Sequence, residues 1–238
     1  MTRLAAVDPD AHRHLRVNPV HAAAHGDAVR LAPVVTAEFS ALVSDFPIVL
    51  SRDPATGEIF CAAVLGFEDD ENLFLDGHAW LATHKPLHLQ RQPFFASLSD
   101  RGAALYIDLD SGRVGTRGER LFTDDGQASP YLDHIRSILA ELLAGLETTR
   151  AFITRLLDLS LVEPAHLSFD FGGGITRTLS GLFAIDTQKL ARLPDAAIVA
   201  LHRSGDLERI HVMAASLAHL PALVRRKQAR LAANKKTA

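Results

Sequence analysis

One apolar stripe constrains the fold of this chain more than any other feature of its sequence. The stripe steps by three and four positions through Leu132, Ile135, Leu139, Leu142, Leu146, Thr149, Ile153 and Leu156, and is widened by Ile138, Leu143, Phe152 and Leu157. This spacing is the period of an α-helix, so residues 131–159 are predicted to form one long amphipathic helix, or two helices joined near Gly145. A face this wide is typical of a helix packed on a sheet; a homodimer through the 131–159 helix is the alternative.

Two hairpins flank this helix in the sequence. The first joins strands at 46–51 and 59–65 through a turn in which Pro54 fixes φ and Gly57 supplies a positive φ. The second joins strands at 166–171 and 175–179 across three glycines, and short helices follow from residue 187. This order predicts an α+β fold: an antiparallel or mixed sheet built from two hairpins, packed against the long central helix, with a helical C-terminus.

Length and composition favour one main domain. The chain has 238 residues, of which 47% are hydrophobic and 22% charged, as in a packed protein. We interpret residues 1–32 as an N-terminal arm, 33–227 as a single domain and 228–238 as a basic C-terminal tail. The last fourteen residues carry six cations and no acid. We interpret these cations as the exposed end of a helix, where positive charge complements the helix dipole. The alternative is that the tail contacts an anionic surface or a second copy of the chain.

Charge and cysteine content narrow the function classes. A net charge of −3 gives no reason to expect nucleic-acid binding. The single cysteine, Cys61, lies in an apolar run and is interpreted as a small buried hydrophobe. No apolar run reaches the roughly 20 residues that span a bilayer, and none near the N-terminus resembles a signal peptide, so a cytoplasmic location without a membrane span is expected.

Twelve histidines raise the question of a metal. His12, His14, His21 and His25 cluster near the N-terminus, and His12 and His14 with Asp27 contain the ligand types of an iron site with two histidines and one carboxylate. Their spacing is not diagnostic, so we expect neither a metal nor another cofactor. Gly112, Gly115 and Gly118 mark a polar loop, and no catalytic signature is found, which favours a protein that is not an enzyme.

A candidate ligand pocket is indicated by Trp80, His84, Arg91 and Phe94. A guanidinium beside aromatic rings binds a carboxylate or stacks on a ring. The alternative is that the aromatic residues close the core and that Arg91 forms an internal ion pair.

Ordered motifs along nearly the whole chain resemble those of one bacterial family. They are Phe46-Pro47-Ile48-Val49-Leu50, Val64-Leu65-Gly66-Phe67, Glu71-Asn72-Leu73-Phe74, Trp80, Arg91-Gln92-Pro93-Phe94, Thr149-Arg150-Ala151-Phe152 and Gly181-Leu182-Phe183-Ala184-Ile185-Asp186. By these motifs the chain is identified as a member of the SapC family. The resemblance implies a link to bacterial surface layers, and to neighbours such as outer-membrane receptors, but it supplies no catalytic residues.

Two function classes follow. The first is a cytoplasmic accessory protein that binds a partner protein or peptide without catalysing a reaction. The alternative is an enzyme, either a metal-dependent (iron) oxygenase or one that modifies peptides or glycans in outer-membrane uptake or surface systems.

Overall fold

The computed structural model describes residues 3–99, 102–165, 167–172 and 174–237. His166 and Gly173, which belong to the second predicted hairpin, lie outside the described residues. Within these ranges the strands are β1 Leu4–Ala6, β2 Arg16–Val17, β3 Leu31–Pro33, β4 Ile48–Arg52, β5 Ile59–Val64, β6 Leu75–Asp76, β7 Ala79–Trp80, β8 Phe94–Ser99, β9 Gly102–Asp108, β10 Val114–Gly115, β11 Glu119–Arg120, β12 Val162–Pro164, β13 Leu167–Asp170, β14 Thr176–Leu179 and β15 Leu182–Ile185.

Helices complete the architecture. The α-helices are α1 Phe39–Leu42, α2 Leu87–Gln90, α3 Pro130–Asp158, α4 Thr187–Leu190, α5 Asp195–Arg203, α6 Asp206–Ser216 and α7 Leu220–Thr237, and 3-10 turns lie at Ala23–His25, Thr36–Glu38 and Leu217–His219. The predicted α+β class is confirmed. None of the described helices has the length and apolar character needed to cross a membrane.

The long amphipathic helix is confirmed as a single element, α3. Its start follows from the sequence: Pro130 occupies the first position, and the Ser129 hydroxyl accepts a hydrogen bond from the amide of Leu132 at 3.2 Å. After the helix, Ser160 takes a left-handed φ of 53°. Gly145 does not interrupt the helix.

The chain divides into two compact units. The first unit comprises Met1–Ala28, Leu75–Leu81 and Leu87–Ala144, and the second comprises Val29–Phe74, Ala82–Pro86 and Gly145–Ala238. Residues up to Ala144 of α3 therefore belong to the first unit and residues from Gly145 onward to the second.

The described residues of the first unit form three antiparallel sheets. Their strand orders are β1-β9-β8, β10-β2-β11 and β6-β7. A core cluster that includes Phe94, Ile107, Leu121 and Leu132 joins strand residues to the buried face of α3. Residues expected to form an N-terminal arm contain β1 and β2, each of which lies within a sheet.

The second unit is built on a five-stranded antiparallel sheet of order β12-β15-β4-β5-β3. The predicted first hairpin, β4–β5, lies inside this sheet and turns through Gly57, whose φ is 75°. The second hairpin, β13–β14, forms a separate two-stranded sheet. The basic tail was expected at residues 228–238, and residues 228–237 belong to helix α7.

Candidate functional site

A glycine-punctuated loop connects β9 to β11 in the first unit. Strands β10 and β11, on either side of residues 116–118, both pair with β2. Gly118 is required here because its φ is 110° and a Cβ atom would lie 2.3 Å from the carbonyl oxygen of Val17. A Cβ on Gly112 would lie 3.2 Å from the carbonyl oxygen of Ala24. The loop therefore packs directly against the backbone of residues 17–25.

Arg113 holds this loop in place. Its side chain is 1% exposed and donates hydrogen bonds to the carbonyl oxygens of Asn18 at 3.3 Å and Val20 at 2.9 Å. It also forms an ion pair of 2.5 Å with Asp27. Its Nε atom is buried and has no hydrogen-bond partner within the described part of the chain. One guanidinium thus ties the loop to three residues of the N-terminal segment.

Asp27 is the buried counter-charge of Arg113. Its Oδ2 atom accepts the amide hydrogen of Ala22 at 2.8 Å, and its Oδ1 atom lies 3.2 Å from Nδ1 of His21. Burial by itself raises the pKa of this carboxyl, but the hydrogen bond with His21 and the positive charge of Arg113 outweigh it, so the pKa is lowered. Asp27 is therefore ionised at neutral pH, and it neutralises the charge of Arg113.

An open cleft of about 600 Å³, here called the basic cleft, lies along this loop. It is lined by Asn18, His25, Gly112, Arg113, Val114, Gly115, Thr116, Arg117 and Gly118. The described lining contains no carboxylate. Because Asp27 balances Arg113, the exposed guanidinium of Arg117 supplies the uncompensated charge, and no described residue forms an ion pair or hydrogen bond with it.

His25 is one of the residues that line the basic cleft. Its Nδ1 atom donates a hydrogen bond to the carbonyl oxygen of Val20 at 2.9 Å, which fixes the tautomer. The opposite edge faces the loop: its Cδ2 atom, bonded to Nε2, lies 3.7 Å from where a Cβ on Gly112 would stand. The ring is thus fixed between Val20 and the loop.

A second open cleft of about 440 Å³, here called the mixed cleft, lies beside the first. It is lined by Arg16, Glu119, Arg120, Phe122, Thr123, Asp124, Ser129, Pro130 and Tyr131. Two arginines and two carboxylates balance each other in this lining. Arg16 donates a hydrogen bond to the carbonyl oxygen of Gly118 at 2.8 Å, so the two clefts share a wall.

Two of the residues predicted to form a ligand pocket, Arg91 and Phe94, lie in the interior of the first unit. Phe94 is fully buried, and Arg91 is 9% exposed. The guanidinium of Arg91 donates to the carbonyl oxygen of Phe94 at 2.5 Å, contacts Nε2 of His88 at 3.1 Å and stacks on the ring of Phe95 at 4.4 Å. These partners are internal groups, which is an environment for a structural cation.

Trp80, the third predicted residue, also belongs to the first unit. Its ring is half-buried, and its centroid lies 6.2 Å from that of His21, the histidine that contacts Asp27. The structure thus brings Trp80 to the N-terminal segment that borders the basic cleft.

His84, the fourth predicted residue, belongs to the second unit. Its backbone amide donates to the carboxylate of Asp45 at 3.0 Å. The Ser44 hydroxyl at 3.2 Å and the Asp45 carboxylate at 3.4 Å both approach the same ring atom, Nδ1. A catalytic triad requires the nucleophile and the acid on opposite ring nitrogens, so this arrangement is not a triad.

No three His, Cys, Asp or Glu side chains of the described residues are grouped so that they could hold a metal ion. The set His12, His14 and Asp27 is accordingly not assembled: Nδ1 of His12 accepts the amide hydrogen of Asp8 at 3.0 Å, and Asp27 pairs with Arg113. Cys61 is 1% exposed, and burial raises the pKa of its thiol to about 12, which leaves it protonated at neutral pH.

The basic cleft was not predicted as a site from the sequence. Its signal is the spacing of Gly112, Gly115 and Gly118, which the sequence shows, interleaved with Arg113 and Arg117. Sequence alone indicates only a polar loop. Arg113 becomes buried and Arg117 stays exposed, but both are arginines four positions apart, so the sequence does not distinguish them.

The fold and the clefts define an α+β protein with an open basic cleft on a glycine-punctuated loop. The SapC family model matches residues 7–223, and the chain therefore belongs to the SapC family. No curated protein and no solved structure matches the chain.

Proposed function

We propose that this SapC-family protein is a cytoplasmic accessory protein that binds a partner protein or peptide. The observation that carries the proposal is the basic cleft, which opens to solvent and has no carboxylate in its described lining. A partner segment with complementary negative charge would be steered to such a cleft and held in register by it.

The rigidity of the cleft supports binding. The loop is tied by Arg113 to Asn18, Val20 and Asp27, and Gly118 fits against the backbone of Val17. A preformed cleft binds more tightly than a flexible one because less conformational entropy is lost on association.

The chemistry of the lining also favours binding over catalysis. Arg117, Thr116 and Asn18 are hydrogen-bonding groups, and no hydrogen bond between a nucleophile and a base is present among the described lining residues. General acid–base catalysis by two carboxylates requires acids that this lining does not contain.

Site-specific photo-crosslinking in the native host tests the proposal. A photoreactive phenylalanine analogue replaces Thr116 in the basic cleft or, as the matched control, Ala196, which is exposed on α5 in the second unit. The expected result is a discrete cross-linked polypeptide at position 116 that is absent at position 196.

The cross-link should be lost when Arg117→Glu is added and retained with Arg203→Glu, an exposed charge reversal in the second unit. Cross-linking to no polypeptide at position 116, or to the same set at both positions, contradicts the proposal.

A further inference from the structure

The two clefts of the first unit differ in what remains available to a ligand. In the mixed cleft, the Arg120 guanidinium pairs with Asp124 at 2.7 Å, and the Arg16 guanidinium is hydrogen-bonded to Gly118. Arg13 donates a further hydrogen bond to the carbonyl oxygen of Asp124. Since these polar groups have partners within the protein and Phe122 is only 4% exposed, the carbon surfaces of Pro130 and Tyr131 are the part of the lining that a ligand contacts at least desolvation cost.

The basic cleft offers the opposite chemistry. Arg117 is exposed and uncompensated, and Thr116 adds a hydroxyl that can donate a hydrogen bond. A Cβ on Gly115 would meet no atom within 4 Å, so this glycine leaves room for a ligand to approach the backbone closely. A carboxylate is a fitting occupant, because arginine binds it through two parallel hydrogen bonds.

The shared wall sets the distance between these two environments. One residue of each cleft, Arg16 and Gly118, meets across a single hydrogen bond of 2.8 Å. Strand β10 lines the basic cleft and β11 lines the mixed cleft, with β2 between them, so two spacings of about 4.8 Å separate the lining strands. An extended chain advances about 3.3 Å per residue, so a ligand covers that distance with about two or three residues.

We infer that the ligand is an extended peptide segment that places an Asp or Glu side chain in the basic cleft and an apolar side chain, two or three residues away, in the mixed cleft. This inference rests on the proposed function, because it specifies what the partner presents to the same site. A free small anion would engage the first cleft and leave the second without a role.

Selection from a random peptide library tests the inference, with peptides of about ten residues, enough in extended form to cover both clefts. The full chain and its Arg117→Glu variant are used side by side. Peptides enriched on the parent chain should carry an acid and an apolar residue two or three positions apart, and Arg117→Glu should abolish that enrichment.

Affinity measurements on one selected peptide assign each side chain to its cleft. Replacing the peptide acid by its amide should weaken binding about tenfold to the parent chain and have little effect with Arg117→Gln, as expected for a direct charge pair. Replacing the apolar residue by serine should weaken binding to the parent chain and have less effect with Pro130→Gln, which puts a polar side chain at the exposed edge of the mixed cleft.

The outcomes separate this inference from the proposed function. If position 116 cross-links a polypeptide but the selected peptides lack the acid, the apolar residue or the spacing, the proposed function stands and the inference fails. If peptides show no enrichment and inorganic phosphate alone binds at Arg117, the site is a small-anion site and the inference fails. If no polypeptide cross-links at position 116, the proposed function fails as well.

Discussion

Buried charges in the first unit are each accommodated by specific neighbours. Arg113 has two carbonyl oxygens and the Asp27 carboxylate, whereas Arg91 has a carbonyl oxygen, the neutral ring of His88 and the face of Phe95. Among the described residues, Arg91 therefore lacks a carboxylate such as the one that Asp27 provides for Arg113. A charged guanidinium that is buried without a counter-ion is destabilised. Burial accordingly lowers the pKa of Arg91 to about 10.

The half-buried ring of His88 makes the stability of the fold depend on pH in the acid range. Burial, and then the charge of Arg91, lowers the pKa of His88 from 6.5 to about 3. Between these values the unfolded chain binds a proton that the folded chain does not, so stability is present above pH 6.5 and falls with decreasing pH. The slope approaches about 1.4 kcal/mol per pH unit from this residue alone. We expect His88→Gln to reduce that slope in urea unfolding measured between pH 6.5 and 4.5, a window inside the shifted range.

A matched substitution controls for the loss of any histidine. His134 is exposed on α3, so His134→Gln should leave the slope unchanged. Equal slopes for the parent chain and His88→Gln would contradict the low pKa, as would a ring NMR signal of His88 that titrates near pH 6.5.

At the scale of single elements, α3 packs closely at Gly145. A Cβ there would lie 2.7 Å from Cβ and 2.8 Å from Cγ2 of Val35, which is 3% exposed. One turn later, Thr149 donates to the carbonyl oxygen of Gly145 at 2.7 Å and accepts the amide hydrogen of Thr36 at 2.9 Å. The glycine therefore allows the backbone of residues 35–36 to lie against the helix.

Gly145→Ala is expected to destabilise the protein although alanine has the higher helix propensity. Propensity favours the substitution by about 1 kcal/mol, but overpacking against the buried Val35 costs about 1–3 kcal/mol. A net loss of stability should appear in thermal or urea unfolding, and Val35→Ala in the same chain should recover part of it.

Thr148→Ala is the control, since residue 148 is exposed on the same helix and lacks such a contact among the described residues. It should leave stability within about 0.5 kcal/mol of the parent value. A stabilised Gly145→Ala variant would show that the helix and residue 35 separate without penalty.

The sequence predicts elements better than it predicts the site. The stripe from Leu132 to Leu156 indicates α3, and Ser129-Pro130 indicates its start, because both signals are local. The same holds for the β4–β5 turn. The basic cleft depends instead on Arg113 meeting Asp27, a contact across 86 positions. No local pattern distinguishes that arginine from Arg117, so the cleft becomes visible only in the folded chain.

For the whole molecule, the basic C-terminal segment pairs with an acidic stretch far away in the sequence. Lys227 is 4% exposed and binds Glu71 at 2.7 Å and Glu68 at 3.2 Å. In the same helix, the Arg226 guanidinium lies 4.6 Å from the ring centroid of Phe74, and Arg230 donates to the carbonyl oxygen of Asn72 at 3.0 Å. Three of the six terminal cations thus fasten α7 to residues 68–74 within the second unit.

Lys227→Met is expected to cost about 3–5 kcal/mol, because it leaves the buried Glu71 carboxylate without its cation. Glu71 also accepts the amide hydrogen of Phe67 at 2.9 Å, and a glutamine keeps that hydrogen bond without the charge. The double variant Lys227→Met with Glu71→Gln should therefore be more stable than Lys227→Met alone. Urea unfolding at one pH and salt concentration compares the parent chain, Lys227→Met and the double variant.

Arg225→Gln is the control, at an exposed position of the same helix, and should change stability by less than about 0.5 kcal/mol. If Lys227→Met and Arg225→Gln have the same small effect, α7 is held by its apolar residues, and the pairing of opposite charges does not fasten it.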